Sequence, residues 1–169
     1  MTRSELDDAF GHHVWATLQL LDACAALGPD QLASQVPGTY GSILETFRHL
    51  VGSDVWYLYV LSVGAVERID EDVMDLPELR RVMEGQGEAW SSILSGGLDP
   101  DMDVEAHRAD GSVGHAPRGI RLAQVLHHGT DHRSQICTGL TALGVTPPDI
   151  DVWDFGALDG RVYDDPPTT

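Results

Sequence analysis

Four long stretches of this chain carry an apolar residue at every third or fourth position, and turn-forming residues separate the stretches. They cover residues 4–27, 42–63, 76–94 and 118–143. Apolar residues at this spacing share one face of an α-helix, and that face must be buried against another element. Four helices of about 20 residues each favour an all-α four-helix bundle.

Capping residues mark the ends of these helices. Ser4 followed by Asp7, and Ser42 followed by Glu45, both fit the start of a helix. The second helix is apolar on most sides, so we expect it to be the most buried of the four. The apolar stripe of the first helix is predicted to consist of Leu6, Phe10, Val14, Thr17, Leu21, Cys24 and Leu27.

The stretch between the third and fourth helices lacks helical periodicity. Residues 104–107 and 113–115 flank Asp110-Gly111, a dipeptide typical of hairpin turns. The sequence therefore predicts a short β-hairpin just before the last helix.

The chain after the fourth helix ends in a polar tail that carries two aromatic residues. Trp153 and Phe155 are expected to pack on the bundle, and the chain beyond about residue 158 is expected to be flexible. A length of 169 residues fits one domain that covers residues 1–169.

The composition excludes several classes of partner. Ten basic residues against 27 acidic ones give a net charge of −17, which repels nucleic acids and anionic membranes. No apolar run is long enough to cross a bilayer, and the N-terminus lacks the apolar core of a secretory signal. Cys24 and Cys137 each lie in an apolar helical pattern, which favours buried, reduced thiols and a cytoplasmic location. The acidic residues 70–72 are expected to be solvated loop surface.

Two histidines on the fourth helix carry the clearest chemical signal. His128 and His132 are four positions apart, so they lie one turn apart on one face of the helix. Val125 and Ile136 share that face, which therefore points into the bundle, whereas His127 falls on the far side. The pair fits two metal ligands. It equally fits two core histidines that are hydrogen-bonded to their neighbours.

A metal site needs a third ligand from another helix. His49, in the middle of the second helix, is the first candidate, because a buried histidine requires a polar partner or a metal. His13 on the first helix is the competing candidate, although lining the cavity suits it better than ligation. Glu45 and Asp131 could each orient a ligand histidine by a hydrogen bond, or could simply be exposed helix charges. Surface positions are predicted for His12, His107 and His115.

The last helix resembles a known protein family. Residues 125–136, VLHHGTDHRSQI, are similar to the last-helix motif of the DinB/YfiT-like metalloproteins, approximately Asn-His-x-x-His-His-Arg-Gly-Gln-Ile. Residues 41–50 and 143–155 resemble the family's second helix and its C-terminal end. Three positions depart from the motif: His127 replaces Asn, Asp131 replaces the first of two adjacent histidines, and Ser134 replaces Gly.

The resemblance implies a DinB-type bundle in which His49, His128 and His132 hold one divalent metal, with Zn expected and Ni as the alternative. The family also implies a function: the metal-dependent transfer of a low-molecular-weight thiol, such as mycothiol, bacillithiol or glutathione, to a small electrophile. His13, Trp56 and Tyr57 are candidates for the wall of the substrate cavity, although packing in the core explains the two aromatics equally well. The family further suggests a homodimer.

Two other functions remain open from the sequence. One is metal-dependent hydrolysis, in which a water on the metal is the nucleophile and Glu45 or His13 is the base. The other is a bundle that binds a metal or ligand without catalysis. Activity in the absence of any thiol would indicate hydrolysis, and tight binding without turnover would indicate the non-enzymatic protein.

Overall fold

The computed structural model describes residues 4–97 and 99–165, and most of this part is helical. Its body consists of four long helices: α1 (Glu5–Cys24), α3 (Ile43–Leu61), α4 (Leu76–Ser95) and α5 (Arg118–Ala142). The shorter elements are α2 (Pro29–Leu32), a 3₁₀ turn (Glu71–Val73), the strands β1 (Asp103–His107) and β2 (Val113–Pro117), and α6 (Val152–Ala157). The two strands pair antiparallel. The predicted four-helix bundle with a hairpin before the last helix is confirmed. None of the described helices combines the length and apolarity needed to span a membrane.

Reciprocal caps fix the starts of α1 and α3. The Ser42 hydroxyl accepts a hydrogen bond from the Glu45 backbone N–H at 3.2 Å, and the Glu45 carboxylate accepts one from the Ser42 N–H at 2.7 Å. Ser4 and Asp7 form the same pair of bonds. The short helix α2 was not predicted, because four residues are too few to show a period.

The packing of the four long helices explains their burial. Both α1 and α3 pack against α4 and α5, so α1 and α3 occupy opposite corners of the bundle. In α3, 11 of the 19 residues are buried, against eight of 20 in α1, five of 20 in α4 and nine of 25 in α5, which confirms α3 as the most buried helix. The hairpin contacts α3 through β1 and α5 through β2.

Two predicted core contacts are wrong. Leu6 is 37% exposed, because it lies in the first turn of α1, beyond the end of the packed core. Trp153 is 72% exposed, because the short α6 turns a different side toward α1. Phe155 occupies that side, as predicted, with its ring centroid 5.6 Å from that of Trp15 and its edge against Gly11.

The predicted flexible tail is only partly covered by the described residues. Arg161 Nη1 lies 2.7 Å from the Asp8 carboxylate on α1, and the Val162 side chain packs on Gly156. Residues 166–169 lie outside the described part of the chain. Flexibility of the segment after about residue 158 stays a prediction.

Candidate metal centre

The structure brings together the three histidines that the sequence singled out. The Nε2 atom of His128 lies 3.1 Å from Nε2 of His49 and 3.1 Å from Nε2 of His132. The ligand atoms of all three lie within 4.8 Å of one another. The helix α5 supplies two of these nitrogens from successive turns, and α3, which packs against α5, supplies the third.

These separations fit a metal ion. Zn–N bonds of about 2.0–2.1 Å place two nitrogens of a tetrahedral site roughly 3.3 Å apart. Hydrogen bonding accounts for the cluster less well, because His128 Nε2 offers either one proton or one lone pair. It can therefore form a good hydrogen bond to His49 or to His132, but not to both, and one of the two 3.1 Å contacts stays unexplained. A cation that binds all three nitrogens would account for both short contacts, so the cluster could hold a metal ion.

The protonation states of the cluster also suit a metal. Burial lowers the pKa of His128 to about 4, and the neighbouring His132 and His49 add to this effect. Burial likewise lowers the pKa of His49, with a further contribution from His132 and an opposing one from Glu71. Both imidazoles are therefore neutral at pH 7, which is the form that binds a metal.

Two groups that no sequence pattern indicated hold these rings in place. The Gln135 Oε1 atom accepts from the Tyr40 backbone N–H at 2.9 Å and lies 3.2 Å from His132 Nδ1. Because this oxygen can only accept, His132 carries its proton on Nδ1 and presents the Nε2 lone pair to the cluster. The Tyr40 ring stacks on His49, with centroids 4.1 Å apart and planes 9° apart.

Two open depressions flank His49. One has a volume of about 430 Å³ and includes Tyr40 and Arg48. The other has a volume of about 230 Å³ and includes Trp56 and Tyr57, which were predicted as substrate wall. These two aromatics therefore lie beside the cluster, and their contact with a substrate stays a prediction.

A glutamate lines both depressions. The Glu71 side chain lies against Gly52, where a Cβ atom would come within 2.5 Å of the Glu71 Cδ. Gly52 is one turn after His49 on α3, so the missing side chain leaves room for the carboxylate beside the cluster. Residues 70–72 were expected to be solvated loop surface; Asp70 and Asp72 are exposed, whereas Glu71 is half-buried against Gly52.

The two residues predicted to orient a ligand histidine lie elsewhere. The Glu45 carboxylate accepts from the Ser42 N–H and from Gln35, so it belongs to the cap of α3. These bonds lower the pKa of Glu45. Asp131 is exposed on α5 and makes no hydrogen bond to the three histidines within the described residues. Asp131 is thus the exposed helix charge that the sequence left open as its alternative, and Gln135 makes the hydrogen bond to a cluster histidine.

His13 does not line the cavity, because it is fully buried in an ionic network at the centre of the bundle. Its Nε2 atom lies 2.6 Å from the Asp54 carboxylate, and Arg133 Nη1 lies 2.9 Å from its Nδ1. The guanidinium can only donate, so His13 accepts at Nδ1 and donates from Nε2 to Asp54. The structure thus gives no support to the prediction that His13 contacts a substrate.

The remaining histidines are placed outside the cluster. His12 was predicted at the surface, but it is half-buried and its Nε2 lies 2.8 Å from the Ile150 carbonyl oxygen, so that prediction is wrong. The exposed His107 and His115 pair with Glu105 and Asp103 on the hairpin. His127 is exposed, as predicted. Both cysteines are free, with Cys24 buried and Cys137 half-buried.

The comparisons with known proteins agree with this architecture. The family model described as "DinB family" matches residues 1–161. The chain belongs to the DinB family. Its fold is similar to that of a DinB-like protein from Bacillus cereus, with a TM-score of 0.64 and 15% sequence identity over 84% of this chain and 93% of that one. The sequence has no match among curated proteins.

Proposed function

We propose that this DinB-family protein is a metal-dependent transferase that joins a low-molecular-weight thiol to a small electrophile. The observation that carries the proposal is the convergence of three imidazole nitrogens beside two open depressions. A site with three protein ligands and open access is typical of catalytic rather than structural metals. The three nitrogens would hold one divalent ion, with Zn preferred and Ni as the alternative.

The metal supplies one property, a positive charge that favours the thiolate over the thiol. The remaining work falls to side chains of the protein. Gln135 and Tyr40 keep His132 and His49 in their orientations. The Glu71 carboxylate, which lines both depressions, accepts the proton that the thiol loses. The sulfur then forms a bond to the electrophilic carbon, and the leaving group departs with the bonding electron pair. Glu71 then passes the proton to a basic leaving group, or to solvent water when the leaving group is a halide.

Activity assays test this proposal with the tag-free protein loaded with Zn. Mycothiol, bacillithiol and glutathione are each offered with 1-chloro-2,4-dinitrobenzene and with monobromobimane, and the thioether product is quantified by mass spectrometry. We expect thioether to form faster than in the protein-free reaction, and His49→Ala to reduce the rate to that uncatalysed background. Product formed from water alone would indicate hydrolysis instead, and Zn binding without any turnover over the panel would indicate a non-enzymatic binding protein.

The variant Glu71→Gln tests whether Glu71 is the proton acceptor. We expect turnover to fall about 10²-fold while Zn content is unchanged, because the amide keeps the shape and loses the base. Asp70→Asn is the matched control, since Asp70 is exposed, adjacent in sequence and absent from the lining of both depressions. Equal turnover in Glu71→Gln and in the unmodified protein would exclude Glu71 as the acceptor.

A further inference from the structure

Two buried polar atoms beside the cluster have no hydrogen-bond partner among the described residues. They are Nδ1 of His128 and Oδ1 of Asp54. The other two cluster histidines already have supports, from Gln135 and Tyr40. Leaving a buried imidazole nitrogen or a buried carboxylate oxygen without a hydrogen bond destabilises the folded protein, so both atoms need a partner.

The ionic network places Asp54 beside the helix segment that carries His128. The Asp54 carboxylate contacts the His13 ring, and that ring packs directly on α5 at Gly129. A Cβ atom at Gly129 would lie 2.3 Å from His13 Cε1, so only glycine permits this approach. Gly129 follows His128 in the chain. Tyr57, about one turn after Asp54 on α3, also lies close to His128, with the two ring centroids 6.4 Å apart.

We infer that Asp54 is a positioning residue for the metal centre: through one bridging water its Oδ1 accepts the Nδ1–H of His128, and so leaves Nε2 as the metal-binding nitrogen. The inference rests on the proposed metal site. A carboxylate that accepts from the far nitrogen of a ligand histidine fixes its tautomer and its orientation. Asp54 would then bridge the buried network and the site, with Oδ2 on His13 and Oδ1 toward His128.

The same geometry predicts an unusual effect of Asp54→Asn. His13 is a donor at Nε2, because Arg133 donates to its other nitrogen, so the asparagine carbonyl must take the place of Oδ2. The amide NH₂ group would then stand where Oδ1 stood and would donate to the bridging water, which would in turn donate to His128 Nδ1. That forces the His128 proton onto Nε2, and a protonated Nε2 has no lone pair with which to bind the metal.

The tautomer can be read by long-range ¹H–¹⁵N NMR of the metal-free protein, with the His128 signals assigned by their loss in His128→Gln. We expect the proton on Nδ1 in the unmodified protein and on Nε2 in Asp54→Asn. We further expect Asp54→Asn to weaken Zn binding about 10- to 100-fold in a chelator competition. A proton on Nε2 in the unmodified protein would overturn the inference without any variant.

Thr17→Val is the matched control. It removes a hydroxyl 3.4 Å from Arg133 Nη1 on the other side of the network and leaves Asp54 unchanged. We expect the His128 tautomer and the Zn affinity to be retained. If Thr17→Val weakened Zn binding as much as Asp54→Asn, the effect would come from loosening of the core, and the inference would fail. The tautomer of His128 is measured in the metal-free protein and does not depend on metal binding. If the proposed metal site were wrong, the unmodified protein would bind no Zn, and that result would be seen separately.

Discussion

Replacing Gly129 by alanine is expected to destabilise the protein by about 3 kcal/mol or more. The added Cβ would lie 2.3 Å from His13 Cε1, 2.5 Å from His13 Nδ1 and 2.9 Å from Arg133 Nη1. None of these groups can move without breaking the buried contacts of His13 with Asp54 and Arg133. Urea denaturation followed by circular dichroism measures the loss.

Gly85→Ala is the control for this substitution. Gly85 also lies inside a long helix, α4, but no atom lies within 4 Å of the position that its Cβ would take. We expect Gly85→Ala to stabilise the protein by roughly 0.5–1 kcal/mol, the usual gain in helix propensity. Similar stabilities for the Gly129→Ala and Gly85→Ala variants would contradict the close approach of His13 to α5.

The second large effect is expected for Arg133→Met. Burial lowers the pKa of Arg133 to about 10, so the guanidinium is still charged at pH 7 and offsets the Asp54 carboxylate. Methionine fills a similar volume but leaves that carboxylate buried without a counter-charge, which costs about 3–5 kcal/mol. The change in the free energy of unfolding, measured in urea, gives the size of the effect.

Two further variants separate charge from packing at Arg133. Arg81→Met alters an exposed arginine on α4 and should change stability by less than about 0.5 kcal/mol. The double variant Arg133→Met with Asp54→Asn removes both charges, so its loss should be smaller than the sum of the two single losses. Strict additivity would show that the two residues do not interact.

The bundle could be predicted from the sequence because its helices depend on local signals. The period of apolar residues and the caps at Ser4 and Ser42 act within a few residues, and the structure has both. The pairing of His128 with His132 also follows from helix geometry alone, since residues four apart share a face. The position of His49 against that face required the resemblance, because spacing in the sequence does not determine how two helices pack.

The supporting residues of the site could not be predicted, because their partners are far away in the sequence. Gln135 meets Tyr40 across 95 positions, and His13 meets Arg133 across 120. The sequence did contain one signal, an aspartate at position 54 within the most apolar helix. A buried carboxylate needs a partner, and the structure supplies His13. Glu71 was missed because nothing in its own segment indicates that it packs on Gly52.

The metal content of the purified protein tests the central claim most directly. Tag-free protein, its His49→Ala, His128→Ala and His132→Ala variants and the control His127→Ala would be loaded with Zn, desalted and measured by inductively coupled plasma mass spectrometry. We expect about one Zn per chain in the unmodified protein and in His127→Ala, because His127 is exposed and outside the cluster. Each of the other three variants should lose the metal, since two imidazoles bind too weakly to retain it. An unmodified protein without Zn after loading, or variants with undiminished Zn, would contradict the metal centre.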